Sequence, residues 1–190
     1  MIDTPQRRDR LGRLAGLMSG LSRVALMIAG SGLVLMTLFV AWQVFGRYVL
    51  NQSPSWTEPA SVMLMSWFIF LGAAVGVRDN VHLGFDVLLY VLPPGAKKTL
   101  RMITDVIILA FGLGMIWYGG QLVGLTWDSV LPSLGISGGF DYLPLVGGGL
   151  LISIFAVERI VLRLSGAPID EAIDAEPPAE VAVELENAKV

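Results

Sequence analysis

An all-α integral membrane protein with four transmembrane helices is the fold class this sequence predicts. Three observations carry that reading: the composition, the length of the apolar stretches, and a one-sided distribution of basic residues. Of 190 residues, 54% are hydrophobic and 15% charged, and the mean hydropathy is +0.69, outside the usual makeup of a soluble domain. The net charge of -3 conceals an uneven chain, because seven acids and Lys189 lie beyond Ser165. Subtracting that -6 from the total leaves +3 on residues 1–164.

Residues 1–23 form a basic amphipathic segment. Leu11, Leu14, Leu17, Met18 and Leu21 recur at helical spacing, with Arg7, Arg8, Arg10 and Arg13 on the polar face. This suits a surface helix on an anionic inner leaflet; a frayed basic tail that only sets topology is the alternative. The first span, about residues 24–45, runs 22 residues from Val24 to Phe45 without a charge, too long for a cleavable signal peptide. Eleven of those residues are Leu, Ile, Val or Phe, each favouring insertion by roughly 0.3–0.6 kcal/mol near the helix centre.

The second span covers about residues 59–77, with Thr57 as its expected N-cap and Glu58 and Pro59 in the first turn. Residues 81–92 are too short to span and read as an interfacial helix closed by Pro93 and Pro94. The third span covers about residues 102–123. Its Asp105 lies one turn after Arg101, so an i, i+4 pair near solvent is expected. Residues 124–141 read as a short re-entrant or interfacial loop. The fourth span covers about residues 142–162 and ends in Glu158, Arg159 and Arg163, whose side chains are expected to snorkel to headgroups. Residues 165–190 read as an acidic disordered cytoplasmic tail.

Orientation follows from the basic residues. With both termini inside (N-in/C-in), twelve Lys and Arg face the cytoplasm and only Arg47 faces outward, which satisfies the positive-inside rule. The expected location is the bacterial cytoplasmic (inner) membrane, in contact with membrane lipids, and no nucleic-acid partner is expected.

Chemistry is sparse. There is no cysteine and one histidine, His82, and motifs for haem, zinc, serine-nucleophile or phosphate-loop chemistry do not occur. No catalytic, cofactor-binding or metal residue is proposed, and no enzyme activity is expected. Internal repeats and a midplane ion site, which a self-sufficient secondary transporter would need, are also missing from the sequence. Small residues are common. Gly72 and Gly76, Gly120 and Gly124, and Gly147 to Gly149 make smooth patches open to either internal packing or a partner helix.

The run from Trp42 to Asp86 is more specific. It reads W-Q-V-F-G-R-Y-V-L-N, then S-P-S-W-T-E, then W-F-I-F-L-G-A-A, then V-R-D-N-V-H-L-G-F-D. In order and spacing this resembles the small membrane (DctQ-like) subunit of the tripartite ATP-independent periplasmic, or TRAP, transporters. The resemblance covers roughly residues 24–164 and is concentrated in 42–93. Pro59 departs from it, standing where the family often has a second acid, so Glu58 must act alone.

The resemblance implies a transport complex in which a soluble extracytoplasmic substrate-binding protein delivers an organic acid to two membrane subunits. The large membrane subunit would hold the substrate and sodium sites. The chain would scaffold that subunit and help dock the binding protein. Subunit-interface or structural candidates are Arg47, Trp56, Glu58, Trp67, Gly72, Gly76, Arg78, His82 and Asp86. Arg47 and Glu58 either bridge, contact the large subunit, or stand as solvated helix-end charges. His82 and Asp86 would share a helix face as a hydrogen-bonded pair. A membrane anchor for a respiratory oxidoreductase and a free-standing small transporter are the alternatives.

Overall fold

The computed structural model describes residues 5–52, 54–79 and 94–165. His82, Asp86, the expected interfacial helix and the acidic tail lie outside them. The described chain holds α1 (Pro5–Tyr48), α2 (Thr57–Arg78), α3 (Pro94–Thr126), a 3-10 turn at Gly138–Asp141 and α4 (Leu143–Leu164). Four of these helical segments are long and apolar enough to cross a membrane.

α1 is one unbroken helix of 44 residues, about 66 Å at 1.5 Å per residue, against a hydrocarbon core of about 30 Å. The expected boundary at residue 23 is therefore not a break between elements. After Pro5 the next proline is Pro54, so no residue forces the backbone out of the helix between them. Asn51, at φ 51°, turns the chain away, a left-handed position that asparagine tolerates better than most side chains. The loop is closed by Gln52 N–H donating to Gly46 O at 3.0 Å.

α2 begins one residue earlier than a Thr57 cap would require. Trp56 occupies the N-cap, and the fully buried Thr57 hydroxyl donates back to Pro54 O at 2.8 Å. Thr57 is thus already the first helical residue and not the half-in residue that a cap must be, and the N-cap makes no side-chain capping hydrogen bond, so the expected cap does not form.

The helices pack as a row. α1 lies on α2, α2 on α4, and α4 on α3. The two outer helices make contact along narrow stripes. On α1, Ser22, Ala25, Ala29, Gly32, Met36, Phe39, Gln43 and Gly46 are buried or half-buried, while the other residues from Arg23 to Leu50 are exposed. That alternation of three and four residues is a heptad seam. Its first half carries only small side chains, which permits close approach; a Cβ on Gly32 would sit 3.8 Å from Phe68 Cβ. On α3, Arg101, Asp105, Ile108, Gly112, Met115, Gly119, Leu122 and Thr126 repeat the same spacing and are buried or half-buried.

The inner helices are the inverse, with a narrow exposed stripe each: Leu150, Val157, Val161 and Leu164 on α4, and Glu58, Val62, Met65, Ile69 and Ala73 on α2. The core is Ala74, Val77, Met115, Ile152 and Phe155, with Met18 and Leu21 of α1 packed against it.

Residues 127–137 fold into a short hairpin-like loop. Val130 and Ser137 form an antiparallel bridge, Leu131 N–H donates to Ile136 O at 2.9 Å, and Gly138 N–H donates to Ser129 O at 2.7 Å. Gly135, at φ 67°, makes the reversal that a side chain would strain. Trp127 stacks on Phe140 with ring centres 5.9 Å apart.

Candidate functional site

Two parts of the row carry polar or aromatic groups in defined places, one at each end. The first is a charge cluster where the C-termini of α2 and α4 meet the first turns of α3. Asp105 is fully buried. Its Oδ1 lies 2.9 Å from Arg159 Nη2 and its Oδ2 lies 3.1 Å from Arg163 Nη1. Arg159 and Arg163 are one turn apart on α4, so both guanidinium groups reach the same carboxylate from one helix face. Arg159 Nη1 also donates to Val77 O, in the last turn of α2. That carbonyl is at the negative end of the α2 dipole, a favourable place for a cation. One guanidinium thus joins three helices.

Around this core, Arg78 Nε lies 3.6 Å from Glu158 Oε2 and 5.9 Å above the centre of the Phe155 ring, measured from the guanidinium carbon. Its Nη1 is 3.7 Å from Asp79 Oδ1. Arg101 is buried as well.

This corrects two sequence expectations. Asp105 is not a solvated helix-end group, and Arg159 and Arg163 do not snorkel outward; both arginines are buried and pair across the helix interface. The reason is register. Arg101 and Asp105 fall on the same heptad stripe as Gly112, Met115 and Gly119, so the stripe that packs on α4 carries them inward. Two glycines on that stripe let α4 approach: a Cβ on Gly112 would lie 3.1 Å from Gly149 O, and one on Gly119 would lie 2.9 Å from Val146 Cγ2. A search for buried partners on the stripes would have found Asp105; a search within one helix finds only Arg101.

The second part lies at the opposite end, around the α1–α2 turn. Trp56 meets Phe39 edge-on with centroids 5.3 Å apart. Arg47 and Glu58 are both exposed, and no ion pair joins them. Gly46 is buried, and a Cβ there would lie 2.7 Å from Gln52 O.

The remaining candidates fall between the two ends. The Trp67 ring lies over Gly147, where a Cβ would be 3.2 Å from it. Gly148 and Gly149 are likewise filled by neighbours, Phe70 and Met115. A Cβ at Gly72, Gly76, Gly120 or Gly124 would meet nothing within 4 Å. The small-residue patches therefore divide: 147–149 serve internal packing, and the other four glycines face open space. The outer helices expose large apolar groups, including Trp42, Phe111, Trp117 and Tyr118.

Residues 36–166 match the DctQ component of the tripartite ATP-independent periplasmic transporters. A Haemophilus influenzae protein assigned as a TRAP transporter small permease protein is 32% identical over 129 residues, 68% of this chain and 80% of its own length. The C4-dicarboxylate TRAP transporter small permease protein of Vibrio cholerae is 31% identical over 78 residues, covering 41% of this chain and 34% of that protein. The sialic acid TRAP transporter small permease protein of the same organism is 24% identical over 121 residues, 64% of this chain and 70% of its own length.

Proposed function

The chain belongs to the DctQ-component family of the TRAP transporters and is a multi-pass inner-membrane small permease subunit, and on that premise we propose that it acts as a lateral scaffold. It is a transporter subunit and not an enzyme. Membership replaces the two alternatives, an oxidoreductase anchor and a free-standing transporter.

In this reading the chain fixes the large membrane subunit in the bilayer and helps the extracytoplasmic substrate-binding protein dock, during sodium-coupled uptake of an organic acid. The observation that carries it is the one-sided burial of the outer helices. A heptad seam holds each of α1 and α3 to its neighbour, and the remaining circumference is a broad apolar face, which on α3 includes the open Gly120 and Gly124. In a bilayer, helix association rests on close packing more than on the hydrophobic effect, and these faces offer shape without internal competition. The α1–α2 turn, where Arg47, Trp56 and Glu58 are all exposed, is the part suited to a soluble protein outside the membrane. The C4-dicarboxylate and sialic acid named for two relatives are both organic acids, which supports that substrate class here.

The orientation proposed is N-in/C-in, which puts the charge cluster at the cytoplasmic end. Mild solubilisation of the C-terminally tagged chain, expressed with its large subunit, tests the scaffold. Stoichiometric recovery of the large subunit is expected, and its complete loss in a neutral detergent that preserves both folds would refute lateral binding.

A further inference from the structure

α3 carries a second stripe on the side turned away from α4. Ile108, Gly112, Met115, Gly119 and Leu122 are among the packed residues of this helix. At 3.6 residues per turn, Ala110, Gly114, Trp117, Gln121 and Gly124 fall on the opposite side, again four and three apart, with Gly120 beside them. Gly114 is half-buried and the others are exposed. A Cβ at Gly114, Gly120 or Gly124 would meet nothing within 4 Å, so the helix surface is low there. The exposed Phe111, Tyr118 and Leu125, seven residues apart, form a ridge along one flank.

Small residues alone suit lipid as well as protein, and Gln121 separates the two. No charged residue lies between Asp105 and Asp128, a distance of about 34 Å at 1.5 Å per residue, against a hydrocarbon core of about 30 Å. On that scale Gln121 is about 10 Å inside Asp128, so its exposed amide projects within the hydrocarbon. Among the described residues it makes no hydrogen bond. A primary amide has two N–H donors and an acceptor oxygen, and lipid chains satisfy none of them. The hydroxyls on the free side of α1 differ, because Ser31 Oγ donates to Ile28 O and Thr37 Oγ1 donates to Leu33 O, each at 2.9 Å. The outer side of α3 therefore combines a surface for close approach with a hydrogen-bonding demand that its own helix leaves unmet.

We propose, resting on the scaffold reading above, that a span of the large membrane subunit packs on this stripe of α3, with Gln121 hydrogen-bonded to a polar group of that span. Helix pairs in membranes combine small residues, which permit close approach, with amide or hydroxyl hydrogen bonds across the contact. The family to which the chain belongs supplies a membrane partner of this kind. Trp117 then stands on the stripe as a large side chain for the partner to pack around, and the ridge of Phe111, Tyr118 and Leu125 bounds the contact on one side.

The test is made in membranes that hold the full chain together with its large subunit. A photoreactive benzophenone amino acid is introduced at Trp117 on the stripe, at Val34 on α1 or at Ile69 on α2, in separate variants; all three positions are exposed. The variant at Trp117 is expected to cross-link to the large subunit. Cross-links from Val34 or Ile69 without one from Trp117 would overturn the assignment to α3 and leave lateral binding intact. A cross-link from Trp117 to a second copy of this chain would also overturn it, and no cross-link from any position would remove both readings. Gln121→Leu should weaken the affinity for the purified large subunit about three-fold, the average worth of one hydrogen bond between spans. Gly124→Leu meets open space in the isolated chain, so it should leave that chain's melting temperature unchanged while lowering the same affinity. An undiminished affinity in either variant contradicts the proposal.

Discussion

Replacing Asp105 with asparagine leaves Arg159 and Arg163 in place but removes the charge that both of them face. At 2.9 and 3.1 Å, each attraction amounts to about 5–6 kcal/mol at an effective dielectric of about 20. Much of that is offset by the desolvation of three charges, so the intact cluster is a modest net stabiliser. Breaking it is another matter, because two guanidinium groups then remain buried with too little counter-charge; removing one partner of a buried pair typically costs about 3–5 kcal/mol. Asparagine still offers one acceptor oxygen, which places Asp105→Asn near the lower end. On the scale of soluble chains of this size, about 2–4 °C per kcal/mol, the melting temperature should fall by about 6–12 °C. Tryptophan fluorescence during a thermal melt of the purified chain reports this, since Trp67 packs on the same inner helices. Changing all three residues together, Asp105→Leu with Arg159→Met and Arg163→Met, removes the uncompensated charge and should retain more stability than the single variant. A shift below about 2 °C in Asp105→Asn would refute the view that this carboxylate is the counter-ion of a buried cluster.

Other expectations follow from the same geometry. A Cβ at Gly148 would lie 2.5 Å from Phe70 Cβ, so Gly148→Ala should destabilise the isolated chain by about 1–3 kcal/mol as overpacking does, seen as a lower melting temperature. Gly72→Leu meets open space; it should leave the isolated chain's melt unchanged while reducing co-purification of the large subunit. Asn51→Val puts a β-branched residue at φ 51° and should cost at least about 1 kcal/mol, again read from the melt. A reporter enzyme active only outside the cytoplasm should stay silent when fused at Val190 and become active when fused in the 127–137 loop.

The spans were legible because hydropathy over some 20 residues is a strong signal in any chain that must satisfy its backbone inside lipid. How those spans pack was harder to read. On α1 the first half of the packed stripe consists of Ser22, Ala25, Ala29 and Gly32, while the exposed surface carries Leu33, Val34 and Leu38. Apolar periodicity, which finds the core face of a soluble helix, therefore points toward lipid here. The seam becomes visible only if small residues are traced at heptad spacing.

Asp105 eluded the sequence reading for a related reason. Its local neighbour Arg101 supplies an adequate i, i+4 explanation, and nothing local reveals that α4 brings two more arginines from more than 50 residues away. Thr57 shows a smaller version of the same limit. The residue type fits an N-cap, but the helix starts one residue earlier, with Trp56 at the N-cap and Thr57 already inside. Arg47, Trp56 and Glu58 do come to the same end of the row, yet their exposure leaves their meaning to a partner.

If this membrane surface works by holding the large subunit, transport by the complex depends on it, and uptake is the direct readout. Accumulation of the organic acid proposed as substrate is followed under an imposed sodium gradient in proteoliposomes containing the large subunit, supplied with the substrate-binding protein, with and without this chain. Uptake should collapse without the chain and return when it is added back during reconstitution. Full uptake by the other two components alone would contradict it.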